Sequence, residues 1–174
     1  MTLAGFSHTY QIHLLINMLA LWWFVNGSLQ FINVEQLMAV FLTGITLSSL
    51  ASCCYKVVTR TMIASLGATG GIYTLMAMAC FKKPDTEVNW PFFPDSLTAK
   101  SAILGVMAFD CLGIVMKWKR LDHAGQLAGA LFGLFYATYG QNEIWDKYCS
   151  HVRDYWKKIK ESVAGSSEGS TKEG

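Results

Sequence analysis

The chain has 174 residues, 52% of them hydrophobic, with a mean hydropathy of +0.31 and a formal net charge of +2. So small a positive charge does not suggest a nucleic-acid partner. The apolar residues fall in long runs rather than amphipathic stripes, which describes an all-α polytopic membrane protein.

Met1 to Tyr10 is not a basic targeting segment and carries no cleavable signal pattern. It runs almost at once into an apolar span, so upstream sequence is expected to be missing. The first predicted span is Ile12 to Phe31, with His8, His13 and Asn17 at its beginning. His13 and Asn17, four apart, share one helix face. Polar groups inside a membrane are costly and read as functional by default, although hydrogen bonds to a neighbouring loop would also explain them. Trp22-Trp23 reads as packing or an interfacial anchor. The second span, Glu35 to Tyr55, can be capped by Asn33, with Glu35 and Gln36 in its first turn. Gly44, Ser48, Ser49 and Ser52 give it a small-residue face.

The third span, Thr69 to Phe81, is short and begins in Ser65-Leu66-Gly67-Ala68-Thr69-Gly70-Gly71-Ile72-Tyr73. Small residues at a loop-to-helix junction permit sharp bending and close approach to the free N–H groups of the first turn. The Thr69 hydroxyl sits where negative charge is stabilised. An acyl-transfer site would be built this way, and so would an ordinary start of a buried helix. Lys82 to Ser96 should be non-helical, held so by Pro84, Pro91 and Pro94, with Trp90, Phe92 and Phe93 dipping into the interface.

The fourth span, Leu97 to Met116, contains Asp110, which requires a partner or neutrality and reads as a structural hydrogen bond. The fifth, Leu121 to Tyr139, carries Gly125, Gly129 and Gly133, a ridge on one face that lets another backbone approach. Gln126 lies beside the ridge and His123 one turn earlier. Residues 1–140 form the membrane domain of this reading. Residues 141–174 form the second part, a basic interfacial helix from Asn142 to Val163 and a disordered tail from Ser166. Cys53, Cys54, Cys80, Cys111 and Cys149 lack metal-ligand spacing, and four lie within apolar runs. They read as small core hydrophobes, with no metal or cofactor implied.

If all five spans cross, the third and fifth enter from the same side. Thr69 and the His123/Gln126 pair then share a depth, and His13 and Asn17 lie near the same face. Hydroxyl, amide and imidazole groups from three remote segments converge in one intramembrane place.

These residues carry a resemblance. The chain resembles the rhomboid intramembrane serine proteases, in particular the mitochondrial presenilin-associated rhomboid-like branch. The likeness runs from about residue 3 to 150 and includes Ser7-His8, His13, Asn17-Met18, Glu35 to Val40, Ser65 to Gly70, Asp122-His123-Ala124, Gly129 to Gly133 and Tyr136 to Gly140. The resemblance implies a helical bundle around a wet cavity. It implies a serine nucleophile in a Gly-x-Ser-Gly motif, and a histidine base in an Ala-His-x-x-Gly motif. It also implies an oxyanion hole built from a histidine, an asparagine and backbone N–H groups. His13 and Asn17 match the oxyanion pair, with Ala68 contributing backbone beside the nucleophile position. Gly67 and Gly70 match the motif glycines, and Tyr73 matches a tyrosine that stacks on the catalytic histidine. Thr69 stands where the family has serine, and Gln126 where it has histidine; His123 matches a different, non-catalytic histidine. Against the family pattern, the first core helix, the loop after it and any mitochondrial presequence are expected to be absent.

A threonine hydroxyl can attack, but its methyl crowds a site shaped for serine. A carboxamide cannot accept a proton near neutral pH, so Gln126 cannot be the general base. The expectation is a rhomboid-fold pseudoprotease in the mitochondrial inner membrane, contacting lipid and binding transmembrane helices of client proteins. The alternative is an active or vestigial intramembrane serine endopeptidase. A transporter or channel is a third class, without a visible inverted repeat in its favour.

Overall fold

The computed structural model describes residues 11–60, 68–88, 97–118 and 121–170. Helices α1 (Gln11–Ser28), α2 (Val34–Thr59) and α3 (Thr69–Lys82) precede the short strands β1 (Glu87–Val88) and β2 (Leu97–Thr98). Then come α4 (Ala99–Val115), α5 (His123–Phe135), a π-helical stretch (Tyr136–Asp146) and α6 (Lys147–Ser170). The chain divides into two compact units, residues 1–137 and 138–174.

Local chemistry sets the helix ends. Asn33 accepts a hydrogen bond from Gln36 N at 2.8 Å and caps α2. Arg60, in the left-handed region at φ 53°, closes that helix with its N–H on Lys56 O. Thr98 caps α4 by accepting from Ser101 N, and Asp122 caps α5 by accepting from Gly125 N. The N-cap of α3 is Ala68, which offers no side-chain acceptor. Its first-turn N–H groups therefore lack the side-chain cap found on α2, α4 and α5.

In the first unit α3 is the hub, packed on α1, α2, α4 and α5. Its partners show the directions. Gly70 and Thr74 face Gly129 and Gly133 of α5 in the same order, so the two helices run parallel. Gly70 and Thr74 face Ser48 and Gly44 of α2 in reverse order, so α2 is antiparallel. The glycine ridge is the reason α3 and α5 approach so closely. A Cβ on Gly129 would collide with the carbonyl oxygen of Gly70, and one on Gly133 with that of Thr74. Thr74 seals the contact, its hydroxyl 3.0 Å from Gly70 O and 2.9 Å from Gly129 O.

The interior combines an apolar core, with Ile45, Leu75 and Met78 fully buried, with an unusual number of buried polar side chains, and large apolar side chains also cover the outside. Asn17, Gln36, Thr74, Asp110, His123 and Gln126 are buried, while Leu15, Leu19, Trp22, Trp23, Val57 and Val115 are exposed. Apolar exteriors with polar groups kept inside suit a lipid surrounding. Among the described residues, α2 is the helix long and apolar enough by length and composition to cross a membrane.

Several expectations need correction. The first helix stops at Ser28 rather than Phe31, and the second continues to Thr59 past Tyr55. Within the stretch read as irregular, Glu87–Val88 pairs antiparallel with Leu97–Thr98. The fifth helix leaves α-geometry at Tyr136 and continues as a π-helix instead of ending at Tyr139. Residues 166–170, within the stretch read as a disordered tail, continue α6. All five cysteines are free, yet Cys80 is buried while Cys53, Cys54 and Cys111 are exposed. They lie on outward faces, where an apolar residue meets lipid as readily as core. Ser65, Leu66, Gly67, His8, Trp90 and the Phe92-Phe93 pair lie outside the described residues.

Candidate functional site

The site forms at the N-terminal end of α3. Gly70 lets it form: a Cβ there would strike Ser48 of α2 on one side, while its carbonyl lies under Gly129 of α5 on the other. Thr69, one residue earlier, is held half-buried at the helix start. Its hydroxyl is 3.4 Å from Asn17 Oδ1 of α1, a long hydrogen bond that the threonine donates. Asn17 is 5% exposed. Its amide nitrogen lies 3.2 Å from His13 Nε2, so the pair expected to share a face does so and bonds within it. Ala68 is buried beside Thr69. The arrangement places a hydroxyl, a carboxamide and an imidazole in one chain of contacts beside a helix N-terminus without a side-chain cap.

Gln126 sits on α5, one turn before Gly129, and is 8% exposed. Its Oε1 is buried without a hydrogen-bond partner among the described residues. Among the described residues, the side chain bonded to the Thr69 hydroxyl is that of Asn17. Gly125, beside Gln126, comes close to Ser48; a Cβ on it would lie 3.0 Å from the serine Oγ.

His123 is not part of this chain. Its Nδ1 lies 2.8 Å from Asp110 Oδ1 of α4, with both side chains buried. The ring lies over Gly113, where a Cβ would collide with it, and meets Phe109 edge-on at 5.5 Å and Trp118 at 5.8 Å. The structure thus gives Asp110 the partner its burial demanded and makes His123 that partner. Tyr73 packs against the core cluster of Ala77, Cys80, Ala99, Ile103 and Ala130.

Two residues near the site escaped the sequence reading. Thr74, bridging α3 and α5, is flagged only by being a hydroxyl in an otherwise apolar run. Ser48 was read as one of four small residues on α2, but it is the one that meets both Gly70 and Gly125. No group of three or more His, Cys, Asp or Glu able to hold a metal ion occurs among the described residues.

Comparison with known proteins bears on this geometry. The rhomboid domain family model matches residues 1–142. Presenilin-associated rhomboid-like protein A, mitochondrial, from Danio rerio is 35% identical over 166 residues, covering 95% of this chain and 43% of that protein. Presenilin-associated rhomboid-like protein, mitochondrial, from Homo sapiens is 40% identical over 146 residues, covering 83% and 38%. Rhomboid protein 1, mitochondrial, from Saccharomyces cerevisiae is 28% identical over 138 residues, covering 78% and 40%. The chain spans about two fifths of the length of these curated relatives.

Proposed function

The chain belongs to the rhomboid family, and on that premise we propose that it is a pseudoprotease: a multi-pass protein of the mitochondrial inner membrane that binds transmembrane segments of client proteins without cutting them. The observation that carries this reading is the pairing of Thr69. Its hydroxyl is bonded to Asn17, and the resemblance puts the buried Gln126 at the family's base position.

Peptide-bond cleavage needs the hydroxyl proton to leave as oxygen attacks carbon. The carboxamide oxygen of Gln126 does not take up that proton near neutral pH. Asn17 Oδ1, which accepts from Thr69, is a carboxamide oxygen too. Losing the nucleophile or base from such a unit costs on the order of 10⁴–10⁶ in rate. What remains is suited to binding. His13, Asn17 and the N–H groups at the start of α3 offer hydrogen bonds to the carbonyls of a client helix unwound at this point. The likeness to presenilin-associated rhomboid-like mitochondrial proteins supports the location.

The test is reconstitution. In liposomes carrying a generic rhomboid substrate, the purified protein should neither cleave it nor take up a fluorophosphonate probe. A photo-crosslinker placed in a client transmembrane helix should still capture it. Specific cleavage that Thr69→Ala abolishes would overturn the proposal.

A further inference from the structure

At the opposite end of the bundle from Thr69, a cleft of about 380 Å³ opens between the last turns of α1 and α3 and the start of α4. We infer that this cleft holds the headgroup of an anionic phospholipid, with the Lys83 ammonium on its phosphate. The inference concerns a surface remote from the proposed client site and does not depend on it.

The position of Lys83 comes first. It caps the C-terminal end of α3, and its Nζ donates to Gln30 Oε1 just past the end of α1. The same nitrogen stands 5.6 Å above the centre of the Phe31 ring. Both partners are neutral. Asp85 and Glu87 follow in sequence, yet neither forms an ion pair with Lys83 among the described residues. A cation whose partners among the described residues are neutral retains most of its attraction for an anion, and among those residues two of its three N–H donors are uncommitted. Gln30 spends its carbonyl on Lys83, leaving its NH₂ to donate as well. Thr86 lines the same cleft. A set of donors around one cation fits phosphate oxygens.

The walls decide in favour of lipid over a soluble phosphate. Trp22 and Trp23 line the cleft and are 73% and 64% exposed, so the pocket opens on the outer face of α1 rather than into the bundle. Tryptophan and lysine at one level mark the headgroup region of a bilayer. From Trp23 the exposed residues Leu19 and Leu15 continue up α1 at four-residue spacing, a track for an acyl chain.

The experiment is native mass spectrometry of the whole chain in detergent, titrated with phosphatidylglycerol or phosphatidylcholine. Phosphatidylglycerol should be retained preferentially. Lys83→Gln should lower its apparent affinity about fivefold, the effect of one interfacial lysine, and Lys83→Arg should restore the preference. Lys56→Gln, at the other end of the bundle, should leave it unchanged. Trp23→Ala should weaken retention of both lipids. Equal retention of the two lipids, or a preference that Lys83→Gln leaves unchanged, would overturn the site. Displacement of phosphatidylglycerol by millimolar inorganic phosphate would overturn the assignment to lipid. Should Lys83→Gln fail to fold, the Lys83→Arg and Trp23→Ala results decide: loss of the preference in the first, or unchanged retention in the second, counts against the cleft.

Discussion

Asp110 and His123 join α4 to α5 through a 2.8 Å contact between Oδ1 and Nδ1, with the two side chains 0% and 4% exposed. This relationship explains two residues at once. One carboxylate oxygen finds a partner in the imidazole, while Oδ2 is buried without a hydrogen bond among the described residues, and the imidazole is held against α4. Gly113 is part of the device, because it leaves room for the ring against α4.

Removing one partner of a buried pair strands the other. His123→Ala should therefore destabilise the fold by about 3–5 kcal/mol, and Asp110→Ala by a similar amount. Asp110→Asn, which keeps an acceptor for Nδ1–H, should cost less. Thermal unfolding in detergent ranks the three. Equal melting temperatures for wild type and His123→Ala would show that the pair contributes nothing.

The glycine ridge makes a position-specific forecast. Gly129→Ala and Gly133→Ala each place a Cβ against backbone carbonyls of α3 that cannot swing aside. Overpacking of this kind costs about 1–3 kcal/mol, and Gly129→Leu should part the helices altogether. Gly105, on α4, has nothing within 4 Å of an added Cβ. Gly105→Ala should thus be tolerated or stabilise by up to about 1 kcal/mol from helix propensity alone. Protease resistance and detergent melting temperature should separate these variants in that order.

A third forecast concerns the start of α2. Gln36 Nε2 donates to the Tyr136 hydroxyl at 2.7 Å, both groups being buried. Tyr136→Phe removes the acceptor and leaves a buried N–H unpaired, at about 1–3 kcal/mol. Replacing both residues, Gln36→Leu with Tyr136→Phe, should recover part of that loss. If the double variant is no more stable than Tyr136→Phe alone, the bond does not hold the two segments together.

The sequence was most readable where a residue type left few options. Asn33 before an apolar run predicted its own cap, and the four-residue glycine spacing predicted the α3–α5 contact. Parity alone anticipated that Asn17, Thr69 and the start of α5 share one end of the bundle. It was least readable where partners come from distant segments. Asp110 announced a need for a partner, but nothing in its neighbourhood pointed to His123, which periodicity placed near Gln126 instead. The β1–β2 pair hid in a proline-containing stretch, since two-residue strands have no periodicity to detect. The π-helix from Tyr136 was also invisible, because i→i+5 bonding has no composition of its own that sets it apart from α-helix.

The last forecast separates the roles of His123 and Gln126. His123 precedes Gln126 by three residues, about 4.5 Å along the helix axis, so it could in principle stand in as a base through a water. Its geometry opposes this: Nδ1 is committed to Asp110, and the rest of the ring lies over Gly113 and packs against both Phe109 and Trp118. Freeing it would strand a buried carboxylate. Thr69→Ser alone should therefore remain inactive in liposomes, and Gln126→His alone should give at most a trace, because the threonine methyl still crowds the attack. Together they place an uncrowded hydroxyl and an imidazole at the two positions that the resemblance assigns to nucleophile and base, and cleavage should rise by orders of magnitude over either single variant. Adding His123→Ala to the active pair should reduce stability more than it reduces cleavage per folded molecule. If Thr69→Ser by itself cleaves substrate and His123→Ala then removes that activity, His123 is a working base and the pseudoprotease reading fails.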